Sequence, residues 1–195
     1  MSGIRAFIAI EMPSEIQASL DKVSANLAAE LESIPIRWIP AENIHLTLKF
    51  LGDVSISNIE LLKEILSAEA VLQTAFEISV GELGAFPSQS RPRVLWVAVQ
   101  APPSLQSIRS GLENETARIG YAREKRSFSP HLTLGRVSRN ANPREVRKVC
   151  EVLNNHTVGF LGAARVHDLH LFRSDLKPGG AVYTKLFTAH LKTEN

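Results

Sequence analysis

Two histidines and two threonines stand where they could share one piece of chemistry. His45-Leu46-Thr47-Leu48 recurs letter for letter as His131-Leu132-Thr133-Leu134. Histidine is the side chain whose ordinary pKa, about 6.5, lies nearest neutrality. Two of them across a cleft can therefore hold opposite protonation states. A neutral imidazole takes a proton from an attacking water or hydroxyl, and a charged one gives a proton to a departing oxygen. Such transfers are worth ~10²–10⁴-fold each. The threonine hydroxyls add hydrogen-bond donors. Donors converging from two sides suit a tetrahedral anion whose charge grows in the transition state. A phosphodiester fits that description, and a five-membered cyclic phosphate fits it best, because its ring is already strained. The plain alternative is that each histidine is a satisfied surface or core residue, and one copy alone would not rise above that reading.

Two copies matter only if the chain folds them onto one cleft. Successive side chains of a strand point to opposite faces. His45 and Thr47 then share one face and Leu46 and Leu48 the other, and the second copy repeats the arrangement. Each half of the chain reads strand, helix, His/Thr strand, helix, strand. Ala9 precedes His45 by the same interval as Leu95 precedes His131. Further strands are expected at 7–10, 76–80, 94–99, 166–172 and 181–191. The first helix opens at Pro13-Ser14-Glu15 with Ser14 and Gln17 as a capping box, and carries Ile16, Leu20, Val23, Leu27 and Leu31 on one stripe. Ser57 and Glu60 form a second box heading a helix to about Ala68. Leu105, Ile108, Leu112 and Ile119 line a third helix, and Asn142-Pro143-Arg144-Glu145 starts a fourth. Gly81, Gly84, Pro87 and Pro92 mark a long loop-like connection, and Pro178-Gly179-Gly180 a turn. The pattern is α+β: one domain over 1–195 made of two lobes, about 1–90 and 91–195, with exchange of strands between them left open. A pseudo-twofold axis between the lobes would line both His/Thr pairs along one groove.

Composition narrows the alternatives. Hydrophobic residues make up 44% and charged residues 22% of the 195 positions, as in ordinary globular proteins. No apolar run approaches the ~18 residues of a membrane span. The start, Met1-Ser2-Gly3-Ile4-Arg5-Ala6, lacks the features of a secretion signal, and Cys150 has no partner for an internal disulfide. Both point to the cytoplasm. A formal charge of +2 is too mild to argue nucleic-acid binding. Local clusters say more: Arg91 and Arg93, then Arg118, Arg123, Lys125 and Arg126, then Arg136 and Arg139, the last two groups flanking His131. They read as solvated surface or as attraction for a phosphate near His131. No zinc-hydrolase spacing, phosphate loop, nucleophile elbow or dinucleotide fingerprint is present, so no metal or cofactor is expected. His156, His167, His170 and His190 read as structural.

Twin His-X-Thr-X motifs resemble those of the two-histidine phosphoesterases. The flanks Arg5-Ala6-Phe7-Ile8-Ala9-Ile10-Glu11, Arg37-Trp38, Glu42-Asn43-Ile44 before His45, Phe128-Ser129-Pro130 before His131 and Gly135-Arg136 after it are similar to the bacterial and archaeal RNA 2′,3′-cyclic phosphodiesterases, first called 2′-5′ RNA ligases. Gly84-Ala85-Phe86-Pro87, Pro92-Arg93-Val94-Leu95-Trp96 and the stretch from Ser174 to Tyr183 fit as well. The resemblance implies a bilobal fold of two mostly antiparallel sheets with helices on the outer faces and a central groove. It implies metal-free hydrolysis of an RNA-terminal 2′,3′-cyclic phosphate to a 2′-phosphate. By the same resemblance His45 is the proton donor, His131 the proton acceptor, and Thr47 and Thr133 hold the phosphate oxygens. Arg136 is a candidate phosphate partner, but strict alternation puts it on the leucine face, so the role needs a bend after Gly135. Phe7 or Phe128 is a candidate base-stacking ring. The expected partner is RNA with a cyclic phosphate end or a small cyclic nucleotide, and the internal symmetry makes a monomer reasonable. Two rivals remain: 2′-5′ ligation of RNA halves in the same groove, and a binding module that grips RNA ends without turnover.

Overall fold

The two His/Thr segments become neighbouring strands at the centre of one sheet. The computed structural model describes residues 3–178 and 180–193. In chain order the elements are β1 (Gly3–Glu11), α1 (Ser14–Glu30), β2 (Ile36–Trp38), β3 (His45–Ser55), α2 (Ile59–Ala70), β4 (Phe76–Phe86), β5 (Val94–Gln100), α3 (Pro103–Arg118), β6 (His131–Val137), α4 (Pro143–Asn155), β7 (Phe160–Val166), β8 (Asp168–Lys177) and β9 (Gly180–His190). The α+β class is as expected, and the two anticipated sheets are halves of one. Its strand order is β7-β4-β5-β6-β3-β1-β8-β9, with the short β2 added alongside β6. The halves join where β3 meets β6, at the single antiparallel pair Leu46 and Leu132. A junction one pair wide lets them bend away from each other and leaves a groove over the join.

Chain order and spatial order differ. β8 and β9, from the end of the chain, continue the half begun by β1 and β3, while β4 lies between β5 and β7 in the other. The helices cross over too: α1 packs on β6 and β7, whereas α2 packs on β8 and β9, and α3 on β3 and α2. Leu46, Leu48, Leu132 and Leu134 are buried in the resulting core with Ile16, Leu20 and Leu27 of α1 and Leu105, Ile108 and Leu112 of α3. Among the described residues no helix is long and apolar enough to cross a membrane.

Several local expectations change. Ser14 does not cap α1: Pro13 holds the N-cap position, and Gln17 Nε2 donates instead to the Met12 carbonyl at 3.0 Å. Asn58 precedes α2, and the Ser57 hydroxyl pairs with that of Ser55. At α4 the expected start is found and is a full capping box, with the Asn142 side chain accepting from the Glu145 backbone and the Glu145 carboxylate accepting from Asn142 N. The first half of the loop anticipated from Gly81 to Pro92 is strand, because β4 runs on to Phe86. Its glycines serve close packing: a Cβ on Gly84 would lie 2.2 Å from the Trp96 ring, and one on Gly81 would lie 2.8 Å from the Gly159 carbonyl. The noisy strand expected at 166–172 is the meeting of two, broken at His167. Of the anticipated turn at 178–180, Gly179 lies outside the described residues, as do Met1 and Ser2.

Candidate active site

The register at the junction is the geometric centre of the site. With Leu46 opposite Leu132 in antiparallel strands, a local twofold passes between the two leucines. One residue further along in each direction sets His45 against Thr133 and Thr47 against His131. All four then project from the face opposite the buried leucines. Burial agrees: His45, Thr47, His131 and Thr133 are all half-buried, alternating with buried leucines in both strands. The groove receives one imidazole and one hydroxyl from each half.

Both imidazoles are held in the same way. His45 Nδ1 donates to the Asn43 carbonyl at 2.9 Å, and His131 Nδ1 donates to the Ser129 carbonyl at 2.7 Å. A carbonyl only accepts, so Nδ1 carries the hydrogen in each ring and Nε2 is the nitrogen left for proton exchange. Aromatic rings fix the planes. His45 stacks on Phe7 at 4.6 Å between centroids and meets the edge of Tyr183 at 5.2 Å. His131 meets Phe86 edge-on at 4.8 Å. Phe7, Ala9 and Phe172 form a small buried cluster of their own beneath His45, with Tyr183 packed against it.

A bulge in each strand sets which side chains face the groove beyond the motif. Leu48 is skipped in the pairing of β3 with β1, and Leu134 at the matching place in the pairing of β6 with β5. The extra residue reverses the alternation. Leu134 and Gly135 are both buried, and Arg136 emerges on the His/Thr side. The irregularity that Arg136 needs therefore lies at Leu134, just before Gly135 and not after it. In β3 the same bulge buries Lys49, whose ammonium binds the Glu113 carboxylate and the Ala122 carbonyl, and brings out Phe50, 52% exposed.

The neighbours of the two histidines differ. Burial lowers the pKa of His45 to about 4, while the Asn43 carbonyl and then the Glu11 charge act in the opposite direction. Glu11 pairs directly across from His45 on β1. The matching partner of His131 on β5 is Ala98. Burial also lowers His131; its bond to Ser129 opposes this, and the positive charge of Arg136 adds to the lowering. Arg136 is itself pushed down by burial and by Arg37. Tyr183 is raised by burial against the pull of Arg136, Arg37 and Arg5. Arg136 thus acts on His131 from one half and on Tyr183, beside His45, from the other.

Other expectations are redistributed. Phe7 is 1% exposed and already carries the His45 ring, so it cannot receive a base. Phe128 is half-buried with the Arg109 guanidinium over its ring. Most of the basic cluster before His131 is neutralised or solvated: Arg118 pairs with Glu115 and Arg126 with Glu124. His156 lies 3.3 Å from Glu30, and His190 binds Asp168 at 2.6 Å. His170 lies nearer the groove than the structural reading implies. Its Nε2 lies 3.4 Å from Glu11, which also binds Lys185. Glu11, Arg37 and Tyr183 lie in stretches that carry the family resemblance but receive no role from it, and the pairing of β1, β2 and β9 brings them to the groove.

Two half-chains of like topology, each lending one His-X-Thr strand to a shared groove, define a two-histidine phosphoesterase. The chain belongs to the LigT like phosphoesterase family, whose model matches it twice, over residues 10–96 and 97–183. It is 30% identical over 183 residues to the RNA 2′,3′-cyclic phosphodiesterase of Methanothermobacter thermautotrophicus, covering 94% of this chain and 96% of that one. Similarity to the protein of the same name from Escherichia coli is 30% over 183 residues, covering 93% of each chain. Among solved structures, E. coli LigT complexed with 3′-AMP superposes with a TM-score of 0.77 at 27% identity, over 97% of this chain and 99% of that one.

Proposed function

We propose that this protein hydrolyses RNA-terminal 2′,3′-cyclic phosphate to a 2′-phosphomonoester, using His45 as proton donor and His131 as proton acceptor. The observation that carries the reading is the pairing of Leu46 with Leu132, which sets one imidazole on each side of a single point. In-line displacement at phosphorus needs that arrangement, since the attacking and leaving oxygens lie on opposite sides. His131 Nε2 takes a proton from water as its oxygen bonds to phosphorus. The bond from phosphorus to O3′ breaks, and His45 Nε2–H delivers its proton to O3′. The bond to O2′ stays, and the product is a 2′-phosphate with a free 3′-hydroxyl. Thr47, Thr133 and Arg136 hold the non-bridging oxygens.

The charges around the histidines support this division of labour. Glu11 favours a proton on His45, and Arg136 disfavours one on His131. Burial opposes the charging of His45, and the bound phosphate anion offsets that penalty at the moment the acid is needed. The names of the relatives, which cover nearly the whole chain, supply the substrate class. The acting unit is the whole of 1–195, since neither 1–90 nor 91–195 contains a complete half of the sheet. We place it in the cytoplasm as a monomer, acting without a metal.

The test is turnover of an oligonucleotide 2′,3′-cyclic phosphate in excess chelator, with products resolved as 2′- or 3′-phosphate. The expected product is the 2′-phosphate alone. His45→Asn and His131→Asn should each lower the rate by ~10²-fold or more with the fold retained. Lengthening of RNA bearing a 5′-hydroxyl would instead indicate ligation, and tight binding without turnover a non-catalytic RNA-end module.

A further inference from the structure

We infer that Arg37 forms, with Arg136, a second phosphate subsite that holds the phosphodiester one nucleotide upstream of the cyclic end. β2 is three residues long, and β6 is its pairing partner in the sheet. Its register sets Arg37 directly opposite Arg136, with Trp38 opposite Gly135. Gly135 permits this approach: a Cβ there would lie 2.9 Å from the Trp38 ring. Directly opposed residues project from the same face, and like charges so placed repel. Arg136 is lowered first by burial, and Arg37 adds to that lowering. Among the described residues no carboxylate is paired with either guanidinium. Two cations held side by side without an internal counter-ion are stabilised by an external anion. A surface cavity of about 460 Å³ lies against the paired β2 and end of β6 and is lined by both arginines.

The opposite end of the groove is lined by carboxylates, one of them already paired with Lys185. The cavity beside His45, about 100 Å³, is lined by Glu11 and Glu42 as well as Tyr183. An RNA backbone entering the groove therefore meets, at the Arg37 end, a cation pair with no carboxylate partner among the described residues, whereas the charge of Glu11 at the other end is already met by Lys185. Arg136 lies on β6, the strand that carries His131 and Thr133, and so is the one assigned to the cyclic phosphate. Arg37, opposite it on β2, meets the next phosphate. The site thereby distinguishes an RNA end from a free nucleoside 2′,3′-cyclic phosphate, which has no second phosphate.

This inference rests on the proposed cyclic-phosphate chemistry, so its test has two readouts. The first is kcat/KM on a dinucleotide ending in a 2′,3′-cyclic phosphate and on a mononucleoside 2′,3′-cyclic phosphate. The second, independent of turnover, is the affinity for a dinucleotide 2′-phosphate against adenosine 2′-phosphate. Wild-type protein should favour the dinucleotide in both. Arg37→Gln should remove about tenfold of that preference, the worth of a charge-assisted hydrogen bond, and Arg37→Lys should retain part of it. The excess salt dependence of dinucleotide binding should vanish in Arg37→Gln, a change that a merely structural residue would not produce. Equal losses on both ligands in Arg37→Gln, or no wild-type preference, would overturn the inference. Turnover of neither substrate, with the binding preference intact and dependent on Arg37, would overturn the hydrolase reading and leave the subsite standing.

Discussion

His45 and His131 share a sequence context and a backbone anchor, yet a carboxylate faces one and a guanidinium the other. Burial sets both pKa values below the ordinary 6.5, His45 to about 4. The free protein at neutral pH therefore holds both rings neutral. Catalysis needs one proton on the pair, and that state is most populated between the two apparent values, which belong to the pair and not to either ring. kcat/KM is accordingly expected to peak on the acid side, between about pH 4 and 6.5, and to fall as pH rises through neutrality. The profile of kcat should extend to higher pH, because the bound phosphate favours protonation. An activity profile in kcat/KM that climbs from pH 6 to pH 8 would contradict this account of the free site.

The strand β3 positions His45 and Thr47, and a buried ion pair holds it from behind. Lys49 is 3% exposed and binds Glu113 on α3, and the same carboxylate accepts from the backbone of Glu124. That ties β3, α3 and the segment leading to His131 together. Lys49→Met would leave Glu113 buried with a weaker partner, Arg109 at 3.4 Å. We expect a loss of about 3 kcal/mol in unfolding free energy, measured by urea denaturation, with part of it recovered in Lys49→Met/Glu113→Leu. An equal loss in single and double variants would show that the charge left behind is not the cause. The elements themselves were largely legible. The His-X-Thr alternation, the apolar stripe of α1 and the cap of α4 are local patterns that dictate local conformation. Gly81 and Gly84 read as loop in the sequence because glycine marks turns as well as close packing, and the partners they accommodate, Gly159 and Trp96, are remote in sequence. The bulge at Leu134 has no local signature either, since it arises from the register of β6 against β5.

At the scale of the molecule, the duplication makes a groove only because strands are shared between the halves. Alternation shows that a segment is a strand but not which neighbour it will choose, so the placing of β4 beside β5 and of β8 beside β1 could not be read from the chain. The histidine and threonine positions could be, because the repeat itself marks them. Their convergence on one ligand is the claim on which the rest depends. It is tested most directly by NMR titration of the two imidazoles, free and with adenosine 2′-phosphate bound. The account predicts that the one ligand raises the pKa of both His45 and His131, since its phosphate lies between them. A rise at one ring with the other unmoved would contradict it.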